Sequence, residues 1–267
     1  MHRTRLGEFF PCSAAEPPVG TKRVKQPTPF LTAEWRDLAM LNYEVDPAVL
    51  RALVPHRTEL DTWNGRTFVS VVGFRFLDTR VRGLAVPRHR DFEELNLRFY
   101  VRRKAKDGWR RGVVFVKEIV PRRAIAWLAR VIYQENYFAL PMRHDVTPQG
   151  VPSSMTRRAV YEWFHAKRWN GLTLEFAGNP YVPADDSEET FITEHYWGYA
   201  RQRDGGTVEY QVEHPRWSVL RATTATLDCD VARFYGSEFA SFLCAPPSSA
   251  FIAEGSRVTV RRGVQLP

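Results

Sequence analysis

Short apolar runs that alternate at period two and stop at turn dipeptides recur from Phe30 to the end of this 267-residue chain. That spacing fits strands rather than long helices. The clearest case centres on Asn64-Gly65, the strongest short hairpin signal, between an extended run at Glu59 to Trp63 and a long one at Thr67 to Phe76. Upstream, Met40 to Val45 is strand-like and ends at Asp46-Pro47, an N-cap followed by an N1 proline, which predicts a short helix over Ala48 to Leu53 closed by Pro55. Further strands are expected at Leu95 to Val101, Val113 to Val120, Ala159 to His165 and Leu172 to Phe176, the last two joined around Trp169-Asn170-Gly171. Phe191 to Arg201 and Thr207 to His214 flank Asp204-Gly205-Gly206, and Ser218 to Ala225 and Ser256 to Arg261 complete the set. Two segments switch period. Ala124, Trp127, Leu128, Val131 and Ile132 recur at helical spacing after Pro121, and Val231 to Leu243 reads as a helix until Pro246-Pro247 forbid continuation. Pro183 to Thr190 reads as a loop.

Many antiparallel strands with a few short helices define a β-rich α+β chain, built as a barrel-like or folded-over sheet. Residues 1–28 carry Pro11, Pro17, Pro18 and Pro27 with basic charges and no periodicity, the profile of a poorly ordered arm, which leaves 29–267 as one domain. No run reaches the roughly 18 apolar residues of a membrane span, and the N-terminus lacks the apolar core of a signal peptide, so a cytoplasmic protein without a membrane partner is expected. Cys12, Cys229 and Cys244 are unclustered. The net charge of +8 is scattered, with local concentrations only at Lys22 to Lys25 and Arg102 to Lys106, and no reader motif accompanies it, so no nucleic-acid partner is expected. The seven histidines show neither HxH nor HExxH spacing, His144-Asp145 being the adjacent pair worth noting for a metal, and GxGxxG, P-loop and GxSxG patterns are missing from the sequence. No metal and no cofactor follow from these motifs.

Several ordered blocks resemble a known family: Tyr43 to Pro55, Glu59 to Arg66, Phe92 to Val101, Lys117 to Ala126 and Tyr137 to Met142. They are similar to the successive signatures of the YqjF-like (DUF2071) proteins, a branch of the acetoacetate decarboxylase-like superfamily. The resemblance covers nearly everything from Phe30 onward. It implies a mainly antiparallel, barrel-like sheet around a central pocket, often assembled into homo-oligomers. The superfamily's decarboxylases use a lysine amine in a Pro-Lys-Lys segment to form a Schiff base. The most similar segment here is Pro121-Arg122-Arg123, and a guanidinium stays protonated and forms no Schiff base. Glu44 stands in the Tyr-x-x-Asp block where the decarboxylases carry a substrate-holding arginine, and Glu94 is the match to a pocket glutamate.

The lysines sharpen the point without any alignment. There are six, and Lys117 alone lies in an apolar strand, Gly112 to Val120. Strict alternation places Val113, Phe115, Lys117 and Ile119 on one face and Val114, Val116, Glu118 and Val120 on the other. Either charge turned inward would have a perturbed pKa, whereas one snorkelling outward and the other ion-paired would be merely structural. Glu194-His195-Tyr196-Trp197-Gly198-Tyr199 puts an acid, an imidazole and aromatics on one strand, with core packing of a hydrogen-bonded His195 as the plainer reading. The catalytic candidates are therefore Lys117, Glu118, Glu94 and His195. The ligand-binding candidates are Arg122, Arg123, Glu44 and Tyr196. The leading expectation is a pocket for a small anionic, carboxylate- or keto-acid-like ligand without decarboxylase chemistry. A residual lyase using Lys117 and a non-catalytic scaffold are the alternatives.

Overall fold

The computed structural model describes residues 29–85, 89–122, 136–148 and 150–266. The arm at 1–28, the helix expected after Pro121 and Arg123 lie outside these residues. In chain order, β1 (Pro29–Glu44), β2 (Glu59–Leu60), β3 (Phe68–Val81), β4 (Leu84–Ala85), β5 (Phe92–Ala105) and β6 (Gly108–Val120) come first. β7 (Tyr137–Ala139), β8 (Met142–Val146), β9 (Arg157–His165) and β10 (Arg168–Phe176) follow. The last third holds α1 (Glu188–Thr193), β11 (Trp197–Arg201), β12 (Thr207–Glu213), β13 (Val219–Asp228), α2 (Val231–Phe234), α3 (Ser237–Leu243), β14 (Ser249–Arg261) and β15 (Val264–Gln265).

The strands join in the order β15-β12-β11-β6-β5-β3-β1-β14-β13-β10-β9-β8, and β12 also pairs with β14 through Val212↔Val260 and Glu213↔Thr259. That extra pairing closes β12, β11, β6, β5, β3, β1 and β14 into a ring. Beyond β14 the sheet continues through β13, β10, β9 and β8 and folds back over the outside of the ring. Two apolar layers result. Outside the ring, Leu41, Val71, Leu95, Leu97 and Phe99 pack with Tyr161, Trp163, Leu172 and Leu174 of the second sheet and with Phe234 and Phe239 of α2 and α3. Inside it, Met40, Phe68, Val72, Phe74, Phe76, Tyr100 and Phe251 gather around the axis.

A bend in β1 lets the two layers meet. Asp37 takes a left-handed conformation (φ 56°), Tyr161 Oη donates to its carbonyl at 2.8 Å, and its carboxylate accepts from Arg75 Nε at 3.0 Å. Gly255 crosses Arg36 at that bend with φ +76°, where a Cβ would sit 2.0 Å from Trp35 O, so only glycine fits.

The structure corrects several sequence expectations. β1 starts at Pro29 rather than Met40, because the charged residues Glu34, Arg36 and Asp37 interrupt the apolar alternation where the strand bends. The helix expected at Ala48 to Leu53 is one 3-10 turn, Pro47–Val49, with the Asp46 carboxylate accepting from Ala48 N at 2.8 Å. The Asn64-Gly65 turn stands, with both residues at positive φ between the bridged pair Trp63 and Arg66. The β9–β10 turn falls at Ala166-Lys167, both left-handed, and Asn170-Gly171 is already strand. The strand expected from Phe191 to Arg201 is split. Ser187 Oγ accepts from Thr190 N and opens α1, whose first turn carries Glu188 and Glu189, an N-terminal signature that the loop reading of Pro183 to Thr190 missed. The helix expected from Val231 to Leu243 breaks at Gly236 (φ +119°). Among the described residues no helix is long and apolar enough to cross a membrane.

Candidate functional site

The ring encloses a cavity of about 140 Å³, room for roughly five waters at ~30 Å³ each or for one small organic molecule. Its walls are aromatic, with Trp35, Phe74, Phe76 and Phe92 at one side and Phe115 and Trp197 at the other. The polar groups come chiefly from β5. Glu94, Asn96 and Arg98 alternate along that strand and line the cavity, while Leu95, Leu97 and Phe99 between them belong to the outer layer. A polar row at period two ordinarily faces water; here ring closure turns it inward.

β6 brings the next group in by breaking its own alternation. Leu97 pairs with Lys117 and Arg98 with Phe115, so Val116 is an extra residue, a β-bulge. The bulge resets the phase, and this corrects the strict alternation read from the sequence. Val113, Phe115 and Glu118 line the cavity together, whereas Val114 and Ile119 join the outer layer. Glu118 stands opposite Asn96 across the strands, and Asn96 Nδ2 donates to Glu94 Oε1 at 3.1 Å. Tyr137, paired with Glu118 in the β6–β7 register, donates its hydroxyl to Glu94 Oε2 at 3.2 Å. Lys117 points the other way. Its ammonium donates to Phe234 O and lies 4.4 Å from the Phe234 ring centroid and 5.0 Å from that of Phe138, and burial lowers its pKa.

Arg98 lies about 13 Å along β5 from Glu94, at ~3.3 Å per residue. It keeps 9% of its exposure, donates from one terminal nitrogen to Ile192 O at 3.3 Å, and lies 5.7 Å from the Tyr100 ring centroid. No carboxylate pairs with it among the described residues, and its Nε is buried without a hydrogen-bond partner. Tyr100 is itself fixed from below: its hydroxyl meets Ser70 Oγ at 2.6 Å, and Ser70 donates to Asn42 Oδ1 at 2.6 Å.

His195 packs on the other flank of Tyr100, with ring centroids 4.7 Å apart. Burial holds its pKa down to about 4 despite the opposing hydrogen bond with Asp61, so the ring is neutral near pH 7. Its Nε2 lies 3.3 Å from Asp61 Oδ2, which also accepts from Arg111 Nε at 2.6 Å. Burial pushes Asp61 upward, but its hydrogen bonds with His195 and Arg111 prevail and hold it below the usual value. A carboxylate only accepts, so the neutral ring carries its hydrogen on Nε2 and leaves Nδ1 as a lone pair, buried and without a partner among the described residues. His214, also lining the cavity, donates from Nδ1 to Pro215 O at 2.8 Å, and burial lowers its pKa.

Of the residues singled out from sequence, Glu94, Glu118 and His195 thus meet in one cavity. Lys117 is on the outer layer. Glu44 sits at the end of β1 with its carboxylate exposed and accepting from Arg66 Nε at 2.8 Å. Arg122 is exposed just beyond β6. Tyr196 is outside the cavity lining, packs on His214 with centroids 4.7 Å apart, and donates its hydroxyl to Glu194, burial and that bond together raising its pKa. Asn96, Arg98, Asp61 and Tyr137 were not singled out. The only sequence signal for the first two was the Glu94, Asn96, Arg98 alternation opposite apolar residues. Among the described residues no group of three or more His, Cys, Asp and Glu is placed to hold a metal ion.

Comparison with known proteins agrees with this architecture. The DUF2071 family profile, described as an uncharacterized conserved protein, matches residues 32–257. The chain is 31% identical over 190 residues to the uncharacterized protein YqjF of Bacillus subtilis strain 168, covering 70% of this chain and 74% of that one. The acetoacetate decarboxylase of Legionella pneumophila superposes with a TM-score of 0.61 at 13% identity, over 90% of this chain and 88% of that one. The enduracididine biosynthesis enzyme MppR, complexed with the condensation product of pyruvate and imidazole 4-carboxaldehyde, gives 0.62 at 12% identity, over 95% and 98%. A strand ring with a polar inner row, closed by a second sheet, and sequence blocks that match along most of the chain place this protein in the DUF2071 family, with an acetoacetate decarboxylase-like fold.

Proposed function

We propose that the ring cavity binds a small carboxylate, with its anionic end at Arg98 and its apolar body against the aromatic walls, without Schiff-base chemistry. The observation that carries this reading is Arg98: a guanidinium buried in a cavity without an acidic partner among the described residues. An uncompensated buried charge is costly, and a ligand carboxylate supplies the missing partner in the geometry that a guanidinium fork suits. The volume and the aromatic lining favour a compact apolar skeleton. Arg98 takes the role that the sequence assigned to Arg122 and Arg123. The MppR complex supports the fold's suitability for a small keto-acid-derived ligand, and says nothing about these residues.

Against a covalent mechanism stands the position of the lysines. Lys104, Lys106, Lys117 and Lys167 are all outside the cavity lining, and Lys117 is turned to the aromatic rings of the outer layer.

The test is calorimetric titration with 4-methylpentanoate beside its uncharged amide. The acid binds the wild-type protein, the amide binds at least tenfold more weakly, and Arg98→Met abolishes the difference. Equal binding of acid and amide overturns the reading. Borohydride treatment with 4-methyl-2-oxopentanoate leaves the intact mass unchanged; an adduct that disappears in Lys117→Ala would restore the enzyme alternative.

A further inference from the structure

The unsatisfied atoms around the cavity are of two kinds. Among the described residues, Arg98 Nε and Trp35 Nε1 are buried donors without an acceptor, and Asn96 Oδ1 and His195 Nδ1 are buried acceptors without a hydrogen. Neither acceptor is free to exchange roles. Asn96 directs its amide nitrogen to Glu94 Oε1 at 3.1 Å, which leaves the oxygen as the unpaired atom. His195 turns Nε2 to Asp61, itself held by Arg111, which leaves Nδ1 a bare lone pair. His195 cannot swing away to find a donor, because Tyr100 lies against it at 4.7 Å between ring centroids and the Phe191 ring meets it edge-on at 5.2 Å. Burial also opposes protonation of the ring, so the lone pair persists at neutral pH.

Buried polar atoms are satisfied in folded proteins, by protein, water or ligand. A carboxylate answers the orphan donor of Arg98. A keto group, which can only accept, does nothing for the orphan acceptors and leaves them desolvated when the site closes around it.

From these atoms we infer that the ligand of this cavity carries a hydrogen-bond donor beside its carboxylate, a hydroxyl or an ammonium received by His195 Nδ1 or by Asn96 Oδ1, so that the site selects 2-hydroxy or 2-amino acids over 2-keto acids. The inference rests on the carboxylate-binding reading above and adds the chemistry of the neighbouring carbon. Asp61 is then a positioning residue: it touches no ligand, and it fixes which imidazole nitrogen faces the cavity. A site built to pair a ligand O–H or N–H discriminates strongly against an analogue lacking it, because rejection comes from the protein's own unpaired groups.

Four acids with one branched skeleton separate the cases: 4-methylpentanoate, 4-methyl-2-oxopentanoate, 2-hydroxy-4-methylpentanoate and leucine, the last three having the same number of non-hydrogen atoms. Titration of the wild-type protein should show the hydroxy or the amino acid binding at least tenfold more tightly than the keto acid, and whichever of the two is tighter identifies the donor. His195→Phe or Asn96→Leu, whichever removes the acceptor that receives the donor, should reduce that preference while still binding 4-methylpentanoate, and a preference unchanged in both variants overturns the inference. If the keto acid binds as well as both donor-bearing acids, the inference is wrong and the carboxylate reading stands; if none of the four binds, both fall. Nitrogen-15 spectra of the wild-type protein give a check that needs no variant. His195 should show a protonated Nε2 and a bare Nδ1 between pH 5.5 and 8, at values about one unit or more above its lowered pKa; a proton on Nδ1 would exclude the role given to it.

Discussion

The two faces of β5 and β6 are built from the same strands and obey opposite rules. On the outer face Leu95, Leu97, Phe99 and Ile119 pack with Tyr161, Trp163 and Leu174 in one buried, largely apolar cluster. On the inner face Glu94, Asn96, Arg98 and Glu118 share a cavity with aromatic rings, and Asn96 Oδ1, Arg98 Nε, Trp35 Nε1 and His195 Nδ1 have no hydrogen-bond partner among the described residues. Close packing stabilises the outer layer. The inner layer gives up that packing and retains polar groups that only a ligand or water completes. On the proposed reading, stability and ligand binding are divided between two sides of one sheet.

The division can be broken by measurement. Trp163 is fully buried in the outer layer, 5.5 Å from the Phe234 ring centroid, and Trp163→Ala should lower the unfolding free energy by about 3–5 kcal/mol in denaturant titration. A loss below about 1 kcal/mol would mean that the second sheet contributes little to the ring. The inner face should declare itself through pH. The folded pKa of His195, about 4, lies below the unfolded value near 6.5, so the unfolded state binds the proton first as pH falls. That contribution is complete above pH ~6.5 and is lost as pH falls towards ~4, on the order of 3 kcal/mol in all. Denaturation midpoints across that window should fall with pH, and His195→Phe should remove that part of the slope.

Two smaller effects sharpen the contrast. Deleting Val116 removes the bulge and leaves plain alternation with Glu118 still inward and Lys117 still outward, so stability should drop by about 1–2 kcal/mol with carboxylate binding retained. Loss of binding in that deletion would give the bulge a role in the site itself. Arg98→Met should change stability by less than about 1 kcal/mol, or raise it, because it removes an uncompensated buried charge. A loss of several kcal/mol, seen as a lower denaturation midpoint, would show that Arg98 holds the ring together instead of awaiting a ligand.

Much of the fold was legible in particular residues. Asn64-Gly65 marked a hairpin, Asp204-Gly205-Gly206 separated two strands, and the run Leu95 to Val101 was strand from its alternation alone. α1 was not legible, because Phe191 and Ile192 lie in an apolar stretch as compatible with strand as with helix, and Ser187 with its two following glutamates was the quieter signal. In the site, Glu94, Glu118 and His195 could be named from sequence, but Arg98 could not be preferred to Arg122 while nothing showed which face of β5 was covered.

The sequence alone determined that this is a strand-rich chain of a recognisable family, that its Pro121-Arg122-Arg123 segment lacks a Schiff-base amine, and that Lys117 and Glu118 were the charges to watch. Those are local properties, carried by side-chain chemistry and the two-residue period. Which charge enters the cavity depended on one extra residue, Val116, whose place in the pairing exists only once β5 and β6 are aligned. Whether a polar row faces bulk solvent or a cavity depended on the pairing of β12 with β14, residues nearly fifty positions apart, because closing the ring turns the inner face of every strand away from bulk water.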